Sequence, residues 1–257
     1  LDFIMLRSLW TYRHFIKASI LGELRGRFAR SVLGGLWFII HPLAQAVIFA
    51  LVFAEVIGAK LPAVTGNSAY PIYLLSGMAA WGLFSEILSR CLNVFIDNAG
   101  TLKKVSFPRL CLPIVIWGTA LINHLFLVFS IMVVFAFLGH SPSFTWIAIP
   151  IGMVCISILA FGIGVTAGVF NIFTRDVGQT LTVILGMWFW LTPIVYVATA
   201  LPESLRWLIE LNPMTPLVQF YQDILLRHVW PDLTSLAGPT LFGLFMVSLA
   251  FFVFRRA

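Results

Sequence analysis

Charge is what this sequence has least of. Only 10% of its 257 residues are charged, while 60% are hydrophobic and the mean hydropathy is +1.00. A soluble domain of this length needs far more polar surface, so the composition excludes a soluble globular protein and points to a bilayer as the solvent. Cysteine is nearly missing as well. Cys91, Cys111 and Cys155 lie far apart in apolar surroundings, which leaves no disulfide framework and no cysteine metal cluster. A phosphate-cradling G-x-x-x-x-G-K-[ST] loop is absent, because none of Lys17, Lys60, Lys103 or Lys104 follows a glycine. ATP hydrolysis is therefore not expected of this chain.

Catalytic constellations are missing too. His14, His41, His124, His140 and His228 never form H-E-x-x-H, and no serine sits in a G-x-S-x-G elbow. The acidic residues are too scattered to suggest a general acid and base. An intramembrane glycan-processing enzyme would have to assemble its site from residues distant in sequence, and it stands as the competing class. Ion-driven carriers bury paired ionisable groups at mid-membrane. Here Glu55, Glu86 and Arg90 fall towards the ends of apolar runs, and the deeper His41, Gln45, Asn123 and His124 read as helix-packing groups.

Apolar runs are what the chain does have. A bilayer core of roughly 30 Å needs about 20 apolar residues in a helix, and six stretches qualify: 36–58, 71–92, 111–138, 144–171, 180–199 and 237–254. The expected fold is an all-α integral membrane protein in one transmembrane domain. Its parts are an N-terminal segment 1–35, spans one to five over 36–199, a loop 200–236, and span six with a tail over 237–257. The opening residues lack the uninterrupted apolar core of a cleavable signal peptide.

The net charge of +6 is read by position rather than as a nucleic-acid signal. Arg7, Arg13, Lys17, Arg25, Arg27 and Arg30 precede span one; Arg90, Lys103, Lys104 and Arg109 follow span two; Arg175 follows span four; Arg255 and Arg256 end the chain. Against them stand Lys60, Arg206 and Arg227. Both termini are thus expected on the cytoplasmic side. Ile16, Ile20, Leu24, Phe28 and Val32 draw one helical stripe with Arg13, Lys17 and Arg27 off it, the pattern of a helix lying in the headgroup region. A plain basic topogenic flank is the alternative.

Two further segments stand out. In 200–236, Pro202 with Glu203 starts a short helix that Asn212-Pro213 ends; Thr215 is the expected N-cap of a second, with Leu217, Phe220, Ile224 and Leu225 on one face. Neither is long enough to cross a bilayer. They suggest a re-entrant hairpin where a lid over a pore would sit, or a connector lying on the surface. Span five carries Trp188, Phe189 and Trp190 near its midpoint and Tyr196 further out, away from the interfaces where tryptophan and tyrosine gather. Buried indole N–H groups need partners in hydrocarbon. Flat aromatic faces lining a wet path for sugar rings, and packing between helices, both remain open.

Three segments carry a family likeness: "RGRFARSVLGGLWFIIHPL", "NIFTRDVGQTLTVILGMWFWLTPIVY" and "LNPMTPLVQFYQDILL". Together they resemble the membrane-spanning permease subunit of ABC exporters for cell-surface polysaccharides, of the O-antigen exporter type, over nearly the whole chain. The resemblance implies a cytoplasmic coupling helix in 97–109 that docks on a separate ATPase subunit, with Lys103, Lys104 and Arg109 offering charge, Phe107 an apolar plug, and Pro108 a stiff join. It implies two copies of the chain around a channel lined by spans one and five, with Trp188, Phe189, Trp190 and Tyr196 on the sugar path. Residues 202–228, with Asn212, Pro213, Pro216, Phe220 and Tyr221, would form an external gate. Arg25, Arg27 and Arg30 would meet the pyrophosphate of a lipid-linked glycan or anionic lipid. The chain itself would hold no cofactor or metal; two ATP-binding partner subunits would carry ATP and Mg. The setting implied is a bacterial inner membrane, with a drug, lipid or teichoic-acid-like polymer as the runner-up cargo.

Overall fold

The computed structural model describes residues 10–29, 69–104 and 107–256, with single positions 36, 37, 40, 44 and 48. The expected first span and Arg30 lie otherwise outside the described residues. The regular elements among the described residues are all helical, without strands. The first helix, α1, is Arg13–Ala29. Then come α2, Ala69–Asp97, a short α3, Ala99–Lys104, and α4, Cys111–Phe137. A 3-10 turn, Phe144–Ala148, leads into α5, Ile149–Phe173, which is followed by α6, Asp176–Leu191. The hairpin holds α7, Arg206–Glu210, and α8, Met214–Gln222, which a π turn extends over Asp223–Arg227. The last helix, α9, is Ala237–Arg256.

Proline sets where these helices begin. Pro71, Pro113, Pro150, Pro216 and Pro239 each fall in the first turn of α2, α4, α5, α8 and α9. There the backbone N–H has no partner within the helix, so losing it costs nothing. Proline also ends α6. Pro193 pushes Thr192 out of the helical region, and the helix stops at Leu191.

Among the described residues four helices are long and apolar enough to cross a membrane: Ala69–Asp97, Cys111–Phe137, Phe144–Phe173 and Leu233–Val253. They match expected spans two, three, four and six. The fifth differs. Residues 180–199 are expected as one span, but α6 covers 16 residues, about 24 Å of rise, and Tyr196 lies beyond it in non-helical chain.

The core is centred on α5, which packs against α2 on one side and α9 on another. Gly168 makes the first of these contacts possible, since a Cβ there would collide with the Cys91 carbonyl. The second helix of the hairpin is inserted into the bundle rather than laid over it: Leu217, Val218, Phe220, Tyr221, Ile224 and Leu225 are all buried, against α2 and α5. Gly152 of α5 leaves the room, because a Cβ would come within 2.7 Å of the Phe220 ring and 2.8 Å of Tyr221. α7 by contrast is exposed apart from the buried Ile209 and the half-buried Leu208.

Candidate functional site

None of the residues of α6 is buried. Val183, Ile184, Met187 and Leu191 are exposed and Trp190 is 65% exposed, a large apolar surface for one short helix. Between α6 and α2 runs a groove in two parts that meet at Thr182. The part nearer the α2–α4 loop, about 540 Å³, is lined by Asn93, Asn171, Arg175 and Gln179. The part further along, about 350 Å³, is lined by Trp81, Leu185, Phe189 and Trp190. Arg175, just before α6, and Gln179, Thr182, Gly186 and Phe189 on it line the groove at helical spacing and form one stripe. The groove therefore grades from amides and a guanidinium to aromatic rings. Among the described residues no three His, Cys, Asp or Glu side chains converge on a metal position.

Asn171 holds the polar end together. Its Nδ2 donates to the Leu92 carbonyl at 3.0 Å, and its Oδ1 accepts from the Gly178 N–H at 3.1 Å. Gly178 fits because a Cβ would lie 2.8 Å from that oxygen. In this way the "NIFTRDVG" run folds the end of α5 back onto the start of α6.

The four expected channel aromatics divide. Phe189 and Trp190 line the groove. Trp188 turns inward, edge-on to Phe84 at 5.1 Å, and its indole N–H donates to Asn212 Oδ1 at 2.7 Å. Tyr196 contributes its backbone, whose carbonyl accepts from Tyr73 Oη at 2.9 Å.

Residues 192–197 are non-helical chain packed in the protein, and each exposed carbonyl needs a donor. Side chains supply them. Tyr73 donates also to the Pro193 carbonyl at 3.0 Å, Gln222 to the same carbonyl at 3.2 Å, and Tyr70 to that of Val195 at 2.9 Å. Asn212 is the hub. Its amide donates to Thr192 Oγ1 at 2.9 Å and the Leu191 carbonyl at 3.3 Å, and its Oδ1 also accepts from the Met214 N–H at 2.9 Å. The side chain that caps the start of α8 is thus Asn212. Thr215, the expected N-cap, sits inside the helix with its hydroxyl buried and unpartnered. Of the expected gate residues, Asn212, Phe220 and Tyr221 are buried and Pro213 and Pro216 half-buried. Tyr221 Oη shares a hydrogen bond of 2.9 Å with His124 of α4, the helix-packing use expected of that histidine.

At the opposite end, the expected coupling helix is shorter than 97–109: α3 ends at Lys104, and Pro108 and Arg109 form a turn into α4. Lys103 and Arg109 are exposed; nothing is described of the Lys104 side chain. Phe107 is half-buried, its ring 5.1 Å from that of Phe15 on α1. Beside them a cavity of about 380 Å³ is bordered by Glu23, Arg90, Asp97 and Phe107.

One chain of polar contacts crosses the helices there. Arg90 of α2 pairs with Glu23 of α1 at 2.6 Å and with Glu86 at 3.3 Å, and Glu86 accepts from Asn123 of α4 at 2.7 Å. Thr119 of α4 lies 3.3 Å from the other Glu23 oxygen. Ile16, Ile20 and Leu24 are the half-buried face of α1, and Arg13 and Lys17 are exposed, as the stripe predicts; Arg25 is exposed as well. The Arg27 side chain lies outside the described residues. Glu23 shares the buried face and was legible as such from its three-residue spacing from Ile20.

A family model for the ABC-2 type transporter matches residues 14–226. An O-antigen export system permease protein RfbA of Klebsiella pneumoniae is 31% identical over 235 residues, covering 90% of this chain and 87% of its own. A protein of the same description from Myxococcus xanthus is 29% identical over 232 residues, covering 89% and 86%. The polysialic acid transport protein KpsM of Escherichia coli is 31% identical over 85 residues, 33% of this chain and 31% of its own. With that match and those relatives spanning the helices and the groove described above, the chain belongs to the ABC-2 type transporter family.

Proposed function

We propose that the chain is the permease subunit of an ATP-driven exporter that moves a lipid-linked polysaccharide such as O-antigen from cytoplasm to periplasm. Two copies form the channel in the bacterial inner membrane, and ATP is hydrolysed on two partner subunits that dock at Lys103, Lys104 and Arg109. The termini face the cytoplasm, and the hairpin is a re-entrant gate at the periplasmic end. The observation that carries this reading is the groove along α6, with Arg175, Gln179 and Asn93 at one end and Trp81, Phe189 and Trp190 at the other. Amides and a guanidinium suit the hydroxyls and phosphates of an entering glycan, and aromatic faces suit sugar rings that must slide. The family and the relatives' names support the cargo class.

The test is export of surface polysaccharide in cells that lack the chain. Wild type restores it. A Phe189→Ala, Trp190→Ala double variant, present in the membrane at normal level, restores it at a clearly reduced rate; an unchanged rate would take the groove off the path.

A further inference from the structure

The connector after α4 and the end of the hairpin meet at two imidazoles. His140 Nε2 lies 2.7 Å from the Leu225 carbonyl. A carbonyl can only accept, so His140 carries its proton on Nε2. The same nitrogen lies 2.9 Å from Nε2 of His228. Two N–H groups cannot face one another at that distance, so His228 presents a bare Nε2 and is neutral, and the single His140 N–H is shared between that nitrogen and the Leu225 carbonyl.

The backbone at this point is under tension. His228 has φ 55° and ψ 32°, the one positive-φ residue other than glycine among the described residues. The left-handed turn it makes follows the π turn, whose carbonyls are held from the connector by His140 and by Thr145 Oγ1, 2.9 Å from Ile224 O. Trp146 stacks on His140 with centroids 6.4 Å apart.

We propose that His140 and His228 form a proton-sensitive latch fastening the end of the hairpin to the α4–α5 connector, closed while His228 is neutral and released when it is protonated. Protonation sets N–H against N–H and adds a cation next to Arg227. The other charged groups on the end of the hairpin, 223–232, are Asp223 and Arg227, paired at 2.6 Å, and Asp232, whose carboxylate accepts from Thr234; those of α2, all in its second half, are Glu86 and Arg90, paired with each other, and Asp97. The connector 138–149 contributes no charge besides His140. Burial first, and then His140, hold His228 below the ordinary histidine value of 6.5. A lowered value means that the contact's contribution is complete above 6.5 and is lost as pH falls through the lowered value. Only the physiological meaning, acid loosening an external gate, rests on the reading given under Proposed function.

Hydrogen–deuterium exchange on the purified chain in nanodiscs, at about pH 7.5 and about pH 5 and corrected for intrinsic rates, tests the latch without any export assay. Wild type is expected to exchange several-fold faster over 224–230 at the lower pH, with α5 unchanged. His228→Asn, which tolerates the left-handed turn and does not titrate, removes the dependence, and His140→Gln removes or weakens it. No pH response in wild type, or an equal one in His228→Asn, overturns the latch. So does a response that a chelator abolishes, which would make the pair a metal site.

Discussion

Asn212 makes four hydrogen bonds through one side chain. It satisfies an indole N–H, a helix-start N–H, a hydroxyl and a carbonyl, and so joins α6, the break after it and α8. Asn212→Ala orphans the part-buried Trp188 indole N–H and the buried Met214 N–H, each worth about 1–3 kcal/mol. The expected outcome is a loss of about 3 kcal/mol in unfolding measured in detergent. Trp188→Phe keeps the ring against Phe84 and removes one donor, so it is expected to cost about 1 kcal/mol. Because the two share a hydrogen bond, the double variant should cost less than the sum; additivity would show that they do not act as a pair. The asparagine-proline dipeptide was legible as a boundary, but Thr215 competed for the capping role by residue type alone. Which of the two caps depends on where Trp188, 24 positions away, points, and no local spacing carries that.

At the scale of the element, the instructive helix is α6. Hydropathy runs unbroken from Leu181 through Val197, so it reads as one span, and Pro193 was the signal that it is not. Spans two, three, four and six were legible because continuous apolar length is a local property. The break after α6 is not local: it survives only because tyrosines near the start of α2 and Gln222 of the hairpin donate to it. Tyr73→Phe removes a donor serving two carbonyls and is expected to destabilise by about 1–2 kcal/mol. Exchange protection should fall over 192–197 and the neighbouring turn of α8 while α9 stays unchanged. Uniform loss across the bundle would mean that the tyrosine acts by packing and not by holding the break.

For the whole molecule the question is how a movement at one end would reach the groove. The contacts point through α1. Phe107 of the loop rests on Phe15, and on the same face of α1 Glu23 reaches Arg90 of α2 and Thr119 of α4. The sequence showed the amphipathic stripe of α1 and the basic loop as separate features. Their junction, Phe15 against Phe107, brings together residues far apart in the sequence and is a property of the fold. It also changes the role of Phe107. A plug seated in an ATPase groove would have to leave Phe15, whereas Lys103 and Arg109 are already exposed. The expected outcome for single cysteines in cells expressing the ATPase subunit proposed as partner follows from this. Positions 103 and 109 crosslink to the ATPase, and a pair at 15 and 107 crosslinks within the chain, slowing export by tying α1 to the loop. Charge reversal at Lys103 and Lys104 weakens the same docking. If position 107 instead captures the ATPase and the pair at 15 and 107 never forms, Phe107 is the plug that the family likeness suggests, and the path to the groove must run through α3 and α2 without α1.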